Sequence, residues 1–368
     1  MKITIDGRSL IGSQRSGIAH YTLEMLQALS VNSEHQLTLV GNSRQSAPTI
    51  NIPNITICWS RWPNKVFNSS QKLLAQPKLD QQIATDILWL PNINFAAWDS
   101  KTPTIVTVHD LSFLRFPEFF STKMRLWHWL VNAKKLLRRA TAIIAVSEQT
   151  KQDLIELLNV SPEKITVIYE GVSKSFQPMS VSDPRCILTK IKYSLPDKFL
   201  LYLGTLEPRK NIEGIIEAAE LMKCPYPIIL AGGKGWKSQR IIERLRQSRN
   251  VRWLGYVEDH ERLALYNLAT AFVYPSFYEG FGLPLVESMA CGTPVIAGAN
   301  SSQVEVVADA GLLVDPFNAA EIAQAIDLLI GDEQLYQTLK QRGIERAAQF
   351  TWEKAAGKFL ELTVTIKK

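Results

Sequence analysis

Short apolar runs, most of them rich in β-branched residues, recur along the chain, and amphipathic stretches separate many of them. In the first half they read KITID (2–6), LTLV (37–40), ITICW (55–59), ILWL (87–90), TIVTVH (104–109), TAIIAV (141–146) and ITVIY (165–169). In the second half they read FLLYLG (199–204), PIILAG (227–232), VRWLG (251–255), AFVYP (271–275), PVIAG (294–298) and LLV (312–314). Helical periodicity falls between many of them, over 18–30, 122–139, 148–158, 212–223, 237–247, 259–269, 284–291, 318–330 and 333–348. Strands this uniformly apolar, linked by helices, predict parallel sheets covered on both faces. The fold class is therefore α/β, with two Rossmann-like doubly wound domains facing a central cleft.

The 368 residues fit two domains, because one core seldom grows past about 250–300 residues. Periodicity is weakest over 172–197, where SKSFQPMSVSDP and SLPD stand, and the boundary is placed there. The expected division is 1–172 and 173–351, with the amphipathic end, about 352–368, packing back on the first domain. Four scattered cysteines lack metal or redox spacing, which suits reduced thiols. No run approaches the ~20 apolar residues of a membrane span, and the opening MKITIDGRSL reads as a strand. A cytoplasmic protein is expected, with the inner membrane face as a further location.

The net charge of +6 is uneven. Residues 1–170 hold 18 Lys/Arg and 13 Asp/Glu, a balance of +5, and 35–79 contain no acid. An anionic partner of the first half fits this, and so does a plain solvated basic face. The stretch 121–140 sets Trp127 and Trp129 among six cations. It reads either as a peripheral contact with anionic membrane or as a helix with a basic outer face.

Ligands of open parallel sheets bind beyond the carboxyl ends of the strands. The polar residues there are Gly7-Arg8, His109-Asp110 and Glu170-Gly171, then Thr205 to Asn211, Gly232 to Gly235, and Ser276 to Gly282. GSQRSGIAHY (12–21) carries Gly12 and Gly17, which allow close backbone approach, but lacks G-x-G-x-x-G spacing. In GTLEPRKN (204–211), Arg209 and Lys210 stand where the next helix begins. Two cations oppose the helix dipole there, a cost that a bound diphosphate would offset.

SFYEGFGLPLVE (276–287) has the strongest local logic. Pro284 suits a first helical turn, and Gly280 and Gly282 leave amides open to a phosphate. Glu287 is expected in that first turn and Glu279 on the other side of the cradle. A carboxylate only accepts hydrogen bonds, so it suits paired sugar hydroxyls. Two carboxylates around a phosphate cradle describe a nucleotide sugar. His109 ends an apolar strand, where a neutral imidazole can donate to a substrate hydroxyl. No zinc, Walker or Ser/His/Asp motif appears.

FVYPSFYEGFGLPLVESMACGTPVIAGANSSQVEVVADAGLLVDP resembles the signature of retaining glycosyltransferases of family 4, with the GT-B fold. GTLEPRKN, LAGGKGW, WLGYVEDHERLALYNLA, VHDLSF and SGIAHYT match in order, more loosely over 40–100, where acceptor recognition usually lies. The resemblance implies that 1–172 binds the acceptor and 173–351 the nucleotide-sugar donor. The resemblance implies a retaining, metal-independent hexosyltransferase that needs no cofactor beyond its nucleoside diphosphate sugar donor. It implies that Glu279 contacts the transferred sugar, Glu287 the nucleotide ribose, and Arg209 and Lys210 the diphosphate. Amides around Gly280, Phe281, Gly282 and Leu283 would add donor contacts. Gly17 would admit the first-domain loop to the phosphate, and His109 would touch the donor sugar. Thr205 stands where many relatives have Arg, and Gln303-Val304-Glu305 departs from S-L-P-E. Likeness to bacterial mannosyltransferases points to GDP-mannose, with UDP-glucose as the alternative donor and a sugar-nucleotide epimerase as the alternative activity. The acceptor would be a glycan or lipid-linked oligosaccharide in cell-envelope polysaccharide synthesis, with no nucleic-acid partner.

Overall fold

A computed structural model describes residues 1–11, 16–31, 35–44 and 47–367. Gly12 lies outside them. The chain divides into two compact units. The first takes 1–111, 122–171 and 352–368, and the second 112–121 and 172–351. The second unit thus takes a ten-residue segment from within the first half of the sequence. Aromatic and polar contacts hold it: Phe119 stacks on Phe277, its carbonyl accepts from Trp236 Nε1 at 2.8 Å, and the Glu118 carbonyl accepts from Lys237 Nζ.

In the first unit β1 (Lys2–Asp6), β2 (Gln36–Asn42), β3 (Ile55–Ser60), β4 (Ile87–Leu90), β5 (Thr104–Val108), β6 (Ala142–Ala145) and β7 (Ile165–Val167) form one sheet. Its order is β3-β2-β1-β4-β5-β6-β7, parallel throughout. The winding reverses between β1 and β4. Ile3, Ile5, Leu39, Trp89, Ile105 and Val106 are fully buried, which is why these strands read as apolar without alternation. The last helix, Trp352–Lys367, packs on the helix Gly17–Val31. Its Phe359 ring meets Trp89 at 4.8 Å, and its Trp352 meets Tyr21 at 5.7 Å. That chain end therefore belongs to the first core.

In the second unit β8 (Leu200–Leu203), β9 (Ile228–Ala231), β10 (Val251–Trp253), β11 (Ala271–Tyr274), β12 (Val295–Gly298) and β13 (Gly311–Val314) form a second parallel sheet. Its order is β10-β9-β8-β11-β12-β13, so the reversal falls between β8 and β11. This unit is also a doubly wound α/β fold.

Three local expectations change. The periodicity over 122–139 is two helices, Thr122–Val131 and Ala133–Arg139, broken where Asn132 turns left-handed at φ 54° and caps the second. The weak stretch 172–197 contains the helix Pro184–Lys192, capped by Asp183 and started by Pro184. A further helix, Asn64–Leu73, fills the acid-free region.

Candidate donor site at the second switch point

A reversal of strand order leaves a crevice at the carboxyl ends of the two central strands. In the second unit that crevice is flanked by the segment after β8, which carries Glu207, Arg209 and Lys210, and by the segment after β11, which carries Glu279. The chain after β8 makes a 3-10 turn, Pro208–Lys210, and Asn211 then caps the helix Ile212–Leu221. Asn211 has φ 57°, accepts from Gly214 N at 3.2 Å, and donates to the carbonyls of Pro275 and Pro316 at 3.1 and 2.6 Å. It ties the segments after β8, β11 and β13 together. A Cβ on Gly214 would stand 2.5 Å from the Asn211 side chain, so glycine is required there.

This frame brings four charges together. Lys210 Nζ donates to Glu279 Oε1 and to the Tyr274 hydroxyl, both at 2.6 Å. Arg209 Nη1 donates to Glu279 Oε2 at 3.2 Å and to the Tyr278 carbonyl at 2.9 Å. Arg209 also pairs with Glu207 at 2.9 Å. Two carboxylates and two cations balance. Glu207, Lys210 and Glu279 are all buried. Burial pushes the Lys210 ammonium below an ordinary lysine, with Glu279 pulling the other way. Burial would raise Glu279, but Lys210 and Arg209 outweigh it, so its carboxyl sits below the usual range. Glu207 is raised by burial, which Arg209 and Lys210 only partly oppose.

The cations therefore precede the helix in a turn of their own, each against a carboxylate, and the dipole cost read from the sequence is met by protein. Glu207 joins the site although the sequence gives it no role; the signal for it is its place two residues before Arg209 across a turn.

The glycine loop is clamped from below. Ser302 Oγ lies 3.0 and 2.9 Å from the carbonyls of Glu279 and Phe281, between which its one proton is shared, Gln303 Nε2 donates to that of Ser276, and Asn300 Nδ2 to that of Phe277. The departure at Gln303 thus has a structural use. Gly282 caps the helix Leu283–Ala290 at φ 102°, a conformation that side chains rarely adopt. Phe281 is buried beside Phe350, Leu283 is half-buried, and Thr205 is exposed.

Glu287 lies in the second turn of its helix, not the first, and forms a separate network. Arg262 Nη2 contacts both of its oxygens at 2.5 Å, and the Tyr266 hydroxyl donates to it at 2.8 Å. Arg262 and Tyr266 are four residues apart on the helix Asp259–Leu268, so they share a face. That spacing was the available signal for both.

Gly17 and His109 belong to the first unit. Gly17 opens its helix with nothing within 4 Å of where a Cβ would lie, so this unit does not itself require glycine there. His109 Nδ1 lies 2.9 Å from Glu170 Oε1, and Nε2 lies 2.9 Å from the Pro91 carbonyl, which accepts. Both partners are acceptors.

Two doubly wound units of this kind make the GT-B fold. Over nearly its whole length the chain superposes on sucrose-phosphate synthase from Thermosynechococcus elongatus (TM-score 0.79, 21% identity, 99% of this chain and 98% of that one). It also superposes on Anabaena Alr3699/HepE, solved with UDP and glucose (TM-score 0.73, 21% identity, 99% and 100%). Residues 189–346 match the family described as Glycosyl transferases group 1, and 15–176 match Glycosyltransferase Family 4. The chain belongs to this glycosyltransferase family. It is 37% identical over 257 residues to O-antigen chain mannosyltransferase B of Escherichia coli, covering 68% of this chain and 67% of that protein. It is 32% identical over 262 residues to the serotype-specific mannosyltransferase WbdA of Escherichia coli, where the match takes in 69% of this chain but 32% of that protein.

Proposed function

We propose that this glycosyltransferase moves a hexose from a nucleoside diphosphate sugar to a hydroxyl of a glycan or lipid-linked acceptor in cell-envelope polysaccharide synthesis, with retention at the anomeric carbon. One observation carries the reading: Arg209 and Lys210 are held together by Glu279 at the strand-order reversal of the second unit. In the reaction the bond from the anomeric carbon to the diphosphate oxygen breaks, and its electron pair leaves with the diphosphate. The two cations are already oriented toward one point, so stabilising that charge needs little reorganisation. The acceptor oxygen bonds to the same face of the sugar, and its proton passes to the departing diphosphate. Glu279 then serves twice, aligning the cations and accepting from sugar hydroxyls. Glu287 holds the ribose, and the glycine loop 280–283 with Thr205 lines the donor. Gly17 gives the phosphate a close approach, and His109, with Glu170 behind it, contacts the sugar. With Arg209 and Lys210 supplying positive charge, turnover is expected to be metal-independent and to survive chelation.

The mannosyltransferase names of the relatives support GDP-mannose, and the UDP and glucose bound to the Anabaena protein support UDP-glucose as the second reading. The test is transfer from each donor to a panel of glycan acceptors, with the product's anomeric configuration read by NMR. The reading expects a retained configuration and no epimerised donor. Inverted product would overturn retention, and epimerisation of the donor without acceptor would overturn transfer.

We also propose a peripheral membrane contact. Among the described residues no helix is long and apolar enough to cross a membrane. Trp129 and Leu126 of the helix Thr122–Val131 are exposed, as are Val66 and Leu73 of the helix Asn64–Leu73, and Lys72 Nζ lies 5.7 Å from the Trp129 ring centroid. Apolar side chains facing outward among cations suit an anionic interface. Flotation with phosphatidylglycerol vesicles should capture the protein and phosphatidylcholine vesicles should not. Equal capture by both would defeat the contact.

A further inference from the structure

The turn that carries Arg209 and Lys210 also walls a cavity of about 440 Å³ through Pro208 and Asn211. None of the donor residues assigned above lines it. Its other walls include Phe119, Phe277, Phe317, Glu213, Glu217 and Arg240. The three phenyl rings belong to a longer file. Tyr278 meets Phe116 at 5.8 Å, Phe116 stacks on Phe119 at 5.5 Å, Phe119 on Phe277 at 5.6 Å, and Phe277 meets Phe317 at 4.7 Å. The file starts at Tyr278, whose carbonyl accepts from Arg209, and ends at Phe317, which is 72% exposed. An apolar ring left this open at the end of a half-buried stack is an unused contact face.

The polar walls limit what can use it. Glu213 pairs with Arg240 at 3.0 Å, and Glu217 with Arg244 at 2.8 Å. Two carboxylates stand with two cations, Arg240 and Lys237, so the walls hold no excess of either charge and favour a neutral ligand. Acceptors and donors side by side, next to aromatic faces, suit a ligand whose edge both donates and accepts and whose face is C–H. A pyranose ring has that chemistry. The volume lies in the ordinary range for small-molecule pockets, about 300–1,000 Å³. We propose that this cavity is a saccharide subsite. It holds a sugar unit of the acceptor chain set back from the end that reacts, with Phe317 as its platform. This rests on the reading that the acceptor is a glycan, and the aromatic file ties the cavity to the carbonyl that holds Arg209.

Saturation-transfer NMR on the full chain, with mannotriose and maltotriose as probes, tests it. A parallel thermal-shift series uses GDP and UDP. At least one trisaccharide should receive saturation. Phe317→Ala should weaken its binding about fivefold, the worth of one stacked ring. Glu217→Ala, a surface change, should weaken it as well, and neither variant should alter the shift given by the nucleotide. Absence of trisaccharide binding, or wild-type binding by both variants, overturns the subsite and leaves the donor reading intact. Trisaccharide binding with no shift from GDP or UDP would instead sink the donor reading and leave the subsite standing.

Discussion

The molecule has two switch points, and they treat charge differently. In the first unit the crevice between β1 and β4 is occupied by Arg8. Its guanidinium donates to Asp6 at 2.8 and 2.6 Å, to Asn68 Oδ1 at 3.2 Å and to the Phe95 carbonyl at 2.6 Å. Phe67 lies beneath it at 5.3 Å. Four of its five N–H groups are engaged by protein, so this cation works as a fastener. In the second unit two cations share Glu279, and Lys210 spends two of its three donors. A guanidinium with four of its five donors taken has little to offer a ligand. Lys210 keeps a third donor for a diphosphate while Glu279 goes on holding the two cations together. The same fold position holds a single cation fastened to its own strand in the first unit, and in the second a pair of cations on one carboxylate in which Lys210 keeps a donor.

That comparison can be broken by mutation. Lys210→Ala should have the largest effect. Turnover should fall about 10²–10³-fold, as for loss of one preorganised transition-state donor. Stability should also fall by about 3–5 kcal/mol, because Glu279 loses a buried partner. Steady-state rates and thermal melts read the two separately. Arg8→Ala should cost similar stability, about 3–5 kcal/mol, through the stranded Asp6. Turnover per folded molecule should stay close to wild type. If it falls as far as in Lys210→Ala, the first switch point is no mere fastener.

Titration sharpens the same contrast. The folded pKa of Lys210 lies below the ordinary value of about 10.4. Between the two values the unfolded chain binds more protons, so stability should rise with pH. Turnover, which needs the ammonium, should fall over the same window. Lys210→Arg keeps its charge and should flatten both trends. Opposed slopes that persist in the variant would assign the titration elsewhere. Glu287→Gln should act least, raising the donor KM about tenfold, the equivalent of 1.4 kcal/mol, with little change in kcat. A loss confined to kcat would remove Glu287 from ribose binding.

All thirteen strands were legible in the sequence: burial on both faces makes most of them near-continuous apolar runs, and the exposed edge strand β3 shows by its β-branched residues. Arg209, Lys210 and Glu279 were legible as a set because they follow strands. Their mutual pairing was not, since it depends on β8 and β11 being neighbours, which strand order decides. The Arg262–Glu287 pair was hidden for a similar reason: its members stand on different helices. The helix Pro184–Lys192 was hidden by the Ser- and Pro-rich stretch around it, although Asp183-Pro184 is an ordinary start signal. The place of 112–121 in the second unit rests on ring contacts that no periodicity records.

The central claim is that the paired cations of the second switch point hold the donor's diphosphate. Isothermal titration of GDP-mannose and UDP-glucose into wild type, Arg209→Lys and Arg8→Lys measures it directly, because each substitution keeps its charge but removes a bidentate fork. The account predicts that one donor binds wild type and Arg8→Lys equally, and Arg209→Lys at least about tenfold more weakly, as befits a charge-assisted contact. Equal binding by wild type and Arg209→Lys would contradict it.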